Sequence, residues 1–147
     1  MYQKTFTHYV SKIIIDILFY MSIVCTVISP FVTDIIFNWI GGYGLAFKVI
    51  VFLSGVACTY ILFNLKQMYH TLLDGNPFVD KNISHFRKMA VTCFVVCVIY
   101  FAKCFFMFTF STAIISAIFA VGCLFCLTLK DLFKQAVNFK AENDLTI

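Results

Sequence analysis

Residues 89–129 read MAVTCFVVCVIYFAKCFFMFTFSTAIISAIFAVGCLFCLTL, and Lys103 is the one charged side chain among them. A helix needs about 17–25 apolar residues to cross a hydrocarbon core. The stretch therefore divides into two spans, 89–109 and 113–129, joined by a very short connection around Phe110 to Thr112. Two spans joined so tightly must be antiparallel neighbours. Further out, residues 13–31 and 45–65 are apolar runs of the same length. Lipid offers the backbone no hydrogen-bond partners, so each run must satisfy its own and be helical. The fold class that follows is all-α: a polytopic four-transmembrane-helix bundle, with residues 1–147 forming one membrane domain.

Charge sets the expected orientation. Of the 11 Lys and Arg side chains, all but Lys48 and Lys103 lie in three segments. These are the N-terminal segment (Lys4, Lys12), the middle loop 66–88 (Lys66, Lys81, Arg87, Lys88) and the tail 130–147 (Lys130, Lys134, Lys140). The positive-inside rule makes these segments cytoplasmic, which predicts a plasma-membrane protein with both termini inside. The formal net charge of +4 then reads as topology and anionic-lipid contact. A nucleic-acid surface would want a larger basic cluster on one folded face, so no direct nucleic-acid binding is expected. The first apolar run follows Lys4 and Lys12 as a signal peptide would. It is too long for such a segment, and no small-x-small cleavage site follows it, so it reads as a retained span.

Within the first outer connection, Gly41, Gly42 and Gly44 supply a turn, while Trp39 and Tyr43 suit a membrane–water interface. Small residues recur at helix-packing spacing as Ser54/Cys58 and Gly55/Thr59, and as Ala113, Ser116, Ala117 and Ala120. Such rows let helix backbones approach closely, within one bundle or between two copies in a homo-oligomer. In the middle loop, Asp74-Gly75-Asn76-Pro77 stops a continuation of the second helix. Asp80 or Asn82 would cap the third. Leu132, Phe133, Ala136 and Val137 give the tail the stripe of an amphipathic helix, lying on the headgroups or packing on the middle loop.

Gly75-Asn76-Pro77-Phe78, then Asn82, then Phe86-Arg87-Lys88 entering a span, together with a terminal Asp144-Leu145-Thr146-Ile147, resembles a family of short bacterial four-span membrane proteins of unknown function. Phe86 stands where that pattern carries Leu. Members are often encoded beside a small Cro/C1-type helix-turn-helix regulator, so the resemblance implies a cytoplasmic protein partner and supplies no catalytic residues. On this reading Asn76, Pro77, Phe78, Asn82, Arg87, Asp144, Leu145, Thr146 and Ile147 form a docking surface.

Two further constellations belong to rival readings. Lys48 and Lys103, with Asp34, would form an outer polar cluster for immunity or ligand sensing. All seven cysteines lie inside spans. Folding the last hairpin about Phe110–Ser111 would bring Cys97 level with Cys123 and Cys93 close to Cys126. Four converging thiols would suit disulfide exchange or Cu(I) binding. Packing alone explains them as well, because cysteine is a small polarizable residue and thiolates are costly in lipid. Asp16 reads as an interfacial ion pair with Lys12, four residues earlier. His8, His70 and His85 define no metal spacing, and no Ser/His/Asp arrangement or phosphate-cradling loop is present. The expectation is a non-enzymatic protein without a cofactor.

Overall fold

A computed structural model describes the backbone of residues 6–40, 44–73, 79–106 and 108–144, with the side chains of 9–35, 45–73, 79–106 and 108–142. It contains four helices: α1 (Phe6–Ile40), α2 (Gly44–Leu73), α3 (Asp80–Phe106) and α4 (Phe110–Asp144). Each holds a segment long and apolar enough to cross a membrane: Tyr9–Ile35, Leu45–Leu73, Asp80–Phe106 and Phe110–Glu142. α1, α2 and α4 outrun their apolar stretches at both ends, whereas α3 starts earlier, at Asp80, and ends at Phe106, short of residue 109. Residues 13–31 are the middle of a helix that continues to Ile40, and the tail is a straight extension of α4.

The bundle is open, and its spatial order follows chain order. Among the described residues α3 packs broadly on α4, α1 on α2, and α2 more narrowly on α3, while α1 and α4 do not approach each other. The tight connection between α3 and α4 produces the antiparallel hairpin expected of it. The Thr109 carbonyl accepts the Thr112 amide at 2.9 Å and the Thr112 hydroxyl at 2.8 Å, which starts α4 at once.

Polarity is distributed opposite to that of a water-soluble protein. Large apolar side chains such as Ile13, Ile17, Val24, Phe31, Phe94, Phe101, Val121 and Phe125 are exposed, whereas Thr33, Asn64, Asn82, His85, Thr112 and Ser116 are buried. An exposed apolar surface on this scale is stable only against hydrocarbon. Polar groups in turn gain nothing from lipid and collect where other helices meet them.

Hydroxyls tie α1 to α2. Thr59 Oγ1 lies 3.2 Å from Ser22 Oγ and 3.3 Å from Thr26 Oγ1. Gly55 is what lets the helices come that close, since a Cβ built there would lie 2.8 Å from Thr26 Oγ1. Pro30 sits inside α1 and cannot donate to the Thr26 carbonyl. The Ser29 hydroxyl donates to that carbonyl at 2.9 Å instead, so the helix passes through the proline. The Thr33 hydroxyl adds contacts to the Ser29 and Pro30 carbonyls at 2.8 and 3.0 Å. In the third interface Ser54 meets the Tyr100 hydroxyl at 2.9 Å. The small-residue rows of α2 are thus used inside the chain, one against α1 and one against α3.

Candidate functional site

One end of the bundle collects the start of α1, the end of α2, the start of α3 and the end of α4; it is called the loop end below, and the opposite end the turn end. Asp80 opens α3, while Asn82 does not cap it. The Asn82 amide N–H donates to the Val79 carbonyl at 3.0 Å. Its side chain is only 2% exposed and lies 2.8 Å from the Thr71 hydroxyl of α2, which also reaches the Met68 carbonyl at 2.7 Å. Asn82 therefore ties α2 to α3 and is buried where the sequence reading placed it on a surface.

Two turns deeper along α2 lies a second buried pair. Asn64 Nδ2 donates to the Tyr60 carbonyl at 2.8 Å, which turns Oδ1 toward His85 Nδ1, also at 2.8 Å. An amide oxygen only accepts, so His85 Nδ1 carries the proton. His85 Nε2 is then a buried acceptor with no hydrogen-bond partner among the described residues. Around these pairs Met68, Phe86, Met89, Ala90 and Cys126 form the best-buried apolar cluster of the protein, flanked by Phe133. The Phe86 and Phe133 rings lie 5.0 Å apart, so Phe133 of the tail's stripe packs on α3, while Leu132 stays exposed.

Cations surround this core. Asp16 pairs with Lys66 of α2 and not with Lys12: the ammonium lies 2.9 Å from Oδ1. Lys66 also lies over the rings of Phe19 and Tyr20, at 5.2 and 5.0 Å. The antiparallel run of α1 and α2 brings Lys66 level with Asp16, which intrahelical spacing alone does not reveal. Lys12, Asp16, Lys66, His70 and Lys81 line a cleft of about 340 Å³ between α1, α2 and α3. A second cleft, of about 480 Å³, lies between α3 and α4 and is lined by Asp80, Ser84, Arg87, Lys130, Lys134 and Asn138. Lys130 contacts its neighbour Asp131 at 3.1 Å, whereas Arg87 and Lys134 make no ion pair with a described residue.

Of the docking residues read from the sequence, Arg87 is exposed and stands in this second cleft. Asn76, Pro77, Phe78, Leu145, Thr146 and Ile147 lie outside the described residues, as does the side chain of Asp144, whose backbone ends α4.

At the turn end the three polar residues do not pool. Lys48 Nζ lies 2.6 Å from Asp34 Oδ2. Lys103 stands apart from that pair, with its ammonium 4.5 Å above the ring of Phe47. The thiols also converge only in part. Cys93 and Cys126 are both buried, and Cys123 packs against the cluster that holds Cys126. Cys97 instead lies against Ser116, 3.6 Å from its hydroxyl, while that hydroxyl approaches the Cys97 carbonyl at 3.3 Å. α3 ends at Phe106 and α4 starts at Phe110, earlier than a pivot at Phe110–Ser111 would require, and Ser116 rather than Cys123 is level with Cys97. Among the described residues no group of three His, Cys, Asp or Glu side chains is placed to hold a metal ion.

A family model described as "Protein of unknown function (DUF2975)" matches residues 13–147. The chain belongs to this family. The match takes in α1 from Ile13 onward, all of α2, α3 and α4, and the tail, in keeping with the resemblance to an uncharacterised four-span family. Nothing among curated proteins or solved structures matches the chain. The family description carries no activity, so any reading of the site rests on its geometry.

Sequence reasoning passed over the Asn64–His85 pair. A signal for it was present: Asn64 is a lone amide in an apolar run, and a polar group in lipid needs a protein partner.

Proposed function

We propose that this is a non-enzymatic membrane protein whose loop end faces the cytoplasm and holds a small protein there, such as a helix-turn-helix regulator. On this reading the protein sits in a bacterial plasma membrane with both termini inside. The observation that carries the reading is the cleft between α3 and α4. Arg87 from one helix and Lys130 and Lys134 from the other point into a single recess, and two of the three have no anionic partner among the described residues. Unpaired cations next to a rigid helical tail suit an acidic face of a partner. The positive-inside rule supports the orientation, because every basic residue except Lys48 and Lys103 belongs to the loop end or its flanking segments.

The rivals receive less support. An outer sensing cluster would pool Asp34, Lys48 and Lys103, which are held in separate contacts. A redox or Cu(I) centre would draw on four thiols, of which Cys97 is turned to Ser116.

The test is crosslinked co-purification from native membranes with the tag at the N-terminus. A small DNA-binding protein should accompany the intact chain and be lost from the triple variant Arg87→Gln, Lys130→Gln, Lys134→Gln. Recovery of the chain alone, or capture that survives the triple variant, would remove the reading.

A further inference from the structure

Beyond the contact between Ser54 and Tyr100, α2 and α3 leave a cleft of about 580 Å³ at the turn end, lined by Ala46, Phe47, Ile50, Ile99, Ala102, Lys103 and Phe106. Two of these residues, Ala46 and Ala102, are alanines, and their small size keeps the space open. The volume falls within the range of about 300–1,000 Å³ typical of small-molecule sites. Its walls are apolar except for one ammonium, and no acidic residue lines it. The nearest described carboxylate at this end, Asp34, is already occupied by Lys48.

Lys103 stands one turn before the end of α3. Its ammonium lies over the Phe47 ring, a contact that orients the charge while leaving its donors free. An ammonium set among apolar walls is stabilised by an anion within its reach. Phe106, one of the lining residues, is 88% exposed, so the cleft opens to the outside of the helix pair.

We propose that this cleft binds an anionic phospholipid, with the phosphate at Lys103 and one acyl chain lying between Ile50, Ile99 and Phe106. Charge complementarity and the apolar walls together select this occupant. A neutral or zwitterionic lipid would fill the space but leave the charge of Lys103 without a net counter-charge.

The experiment uses the full chain in bilayer nanodiscs doped with a diazirine-acyl phosphatidylglycerol or the matching phosphatidylcholine, followed by mapping of the labelled residues. Labelling at Ile50, Ile99 or Ala102 should be about tenfold stronger with phosphatidylglycerol, as expected for one charge-assisted contact. Lys103→Gln should abolish that preference and Lys103→Arg should keep it. Ala102→Phe serves as a second variant that leaves Lys103 in place, filling the cleft and lowering labelling by both lipids. Equal labelling by the two lipids, a preference that survives Lys103→Gln, or undiminished labelling of Ala102→Phe would each overturn the proposal.

Discussion

Gly55→Ala probes the α1/α2 interface at its closest point. The added Cβ would lie 2.8 Å from Thr26 Oγ1, 3.1 Å from Cγ2 and 3.3 Å from Cβ. All three atoms belong to one branched side chain whose hydroxyl already donates to the Ser22 carbonyl at 2.7 Å. Rotating Thr26 away would break that bond, so the helices must separate instead. Overpacking of this kind costs about 1–3 kcal/mol. The gain in helix propensity from Gly to Ala returns up to about 1 kcal/mol. Losing the two hydroxyl contacts of Thr59 adds about 0.6 kcal/mol for each interhelical bond. The expected net loss is about 1–3 kcal/mol. Because α1 packs on α2 alone among the described helices, α1 should detach first. Steric-trap unfolding in bicelles would measure the loss, and a double-mutant cycle with Thr26→Ala would locate it. Removing Oγ1 and Cγ2 takes away the clash, so the double variant should recover about 1 kcal/mol relative to the sum of the singles. A coupling below about 0.5 kcal/mol, the scatter of independent sites, would refute the close-approach argument.

Other perturbations test separate contacts. Asn64→Leu leaves the His85 Nδ1–H buried without its acceptor and should cost about 1–3 kcal/mol in the same unfolding assay, with much of it recovered in an Asn64→Leu, His85→Leu double variant. Ser29→Ala removes the donor to the Thr26 carbonyl beside Pro30 and should cost about 1 kcal/mol, whereas in a Pro30→Ala background, where the backbone amide supplies that bond, the cost should nearly vanish. In a chain otherwise free of cysteine, Cys97 paired with Ser116→Cys should form a disulfide under mild oxidation, and Cys97 paired with Cys123 should not. The reverse result would move the α3/α4 register.

The tail shows how far a sequence pattern reaches. Its stripe of Leu132, Phe133, Ala136 and Val137 predicts an amphipathic helix, and α4 does run to Asp144. The pattern left two surfaces open, headgroups or the middle loop, and only the structure places Phe133 against Phe86. Asn82 marks the opposite limit. An Asn soon after a turn is expected at a cap or on a surface, yet here it is sealed between α2 and α3, because the pairing of those helices brings Thr71 to meet it.

The amino-acid sequence by itself determined the membrane class, the four helices and the antiparallel hairpin of α3 and α4. These follow from local constraints: hydrocarbon demands long apolar runs with internally bonded backbone, and a short connection leaves no other arrangement. Only the tertiary structure decided which face of each helix turns inward and which polar groups meet there. In water a helix shows its core by an apolar stripe, but in lipid the outward face is as apolar as the inward one, so periodicity carries little of that information. The partners of Asp16, Lys103, Cys97 and His85 therefore depend on register and helix order across the bundle, which no spacing along one helix records.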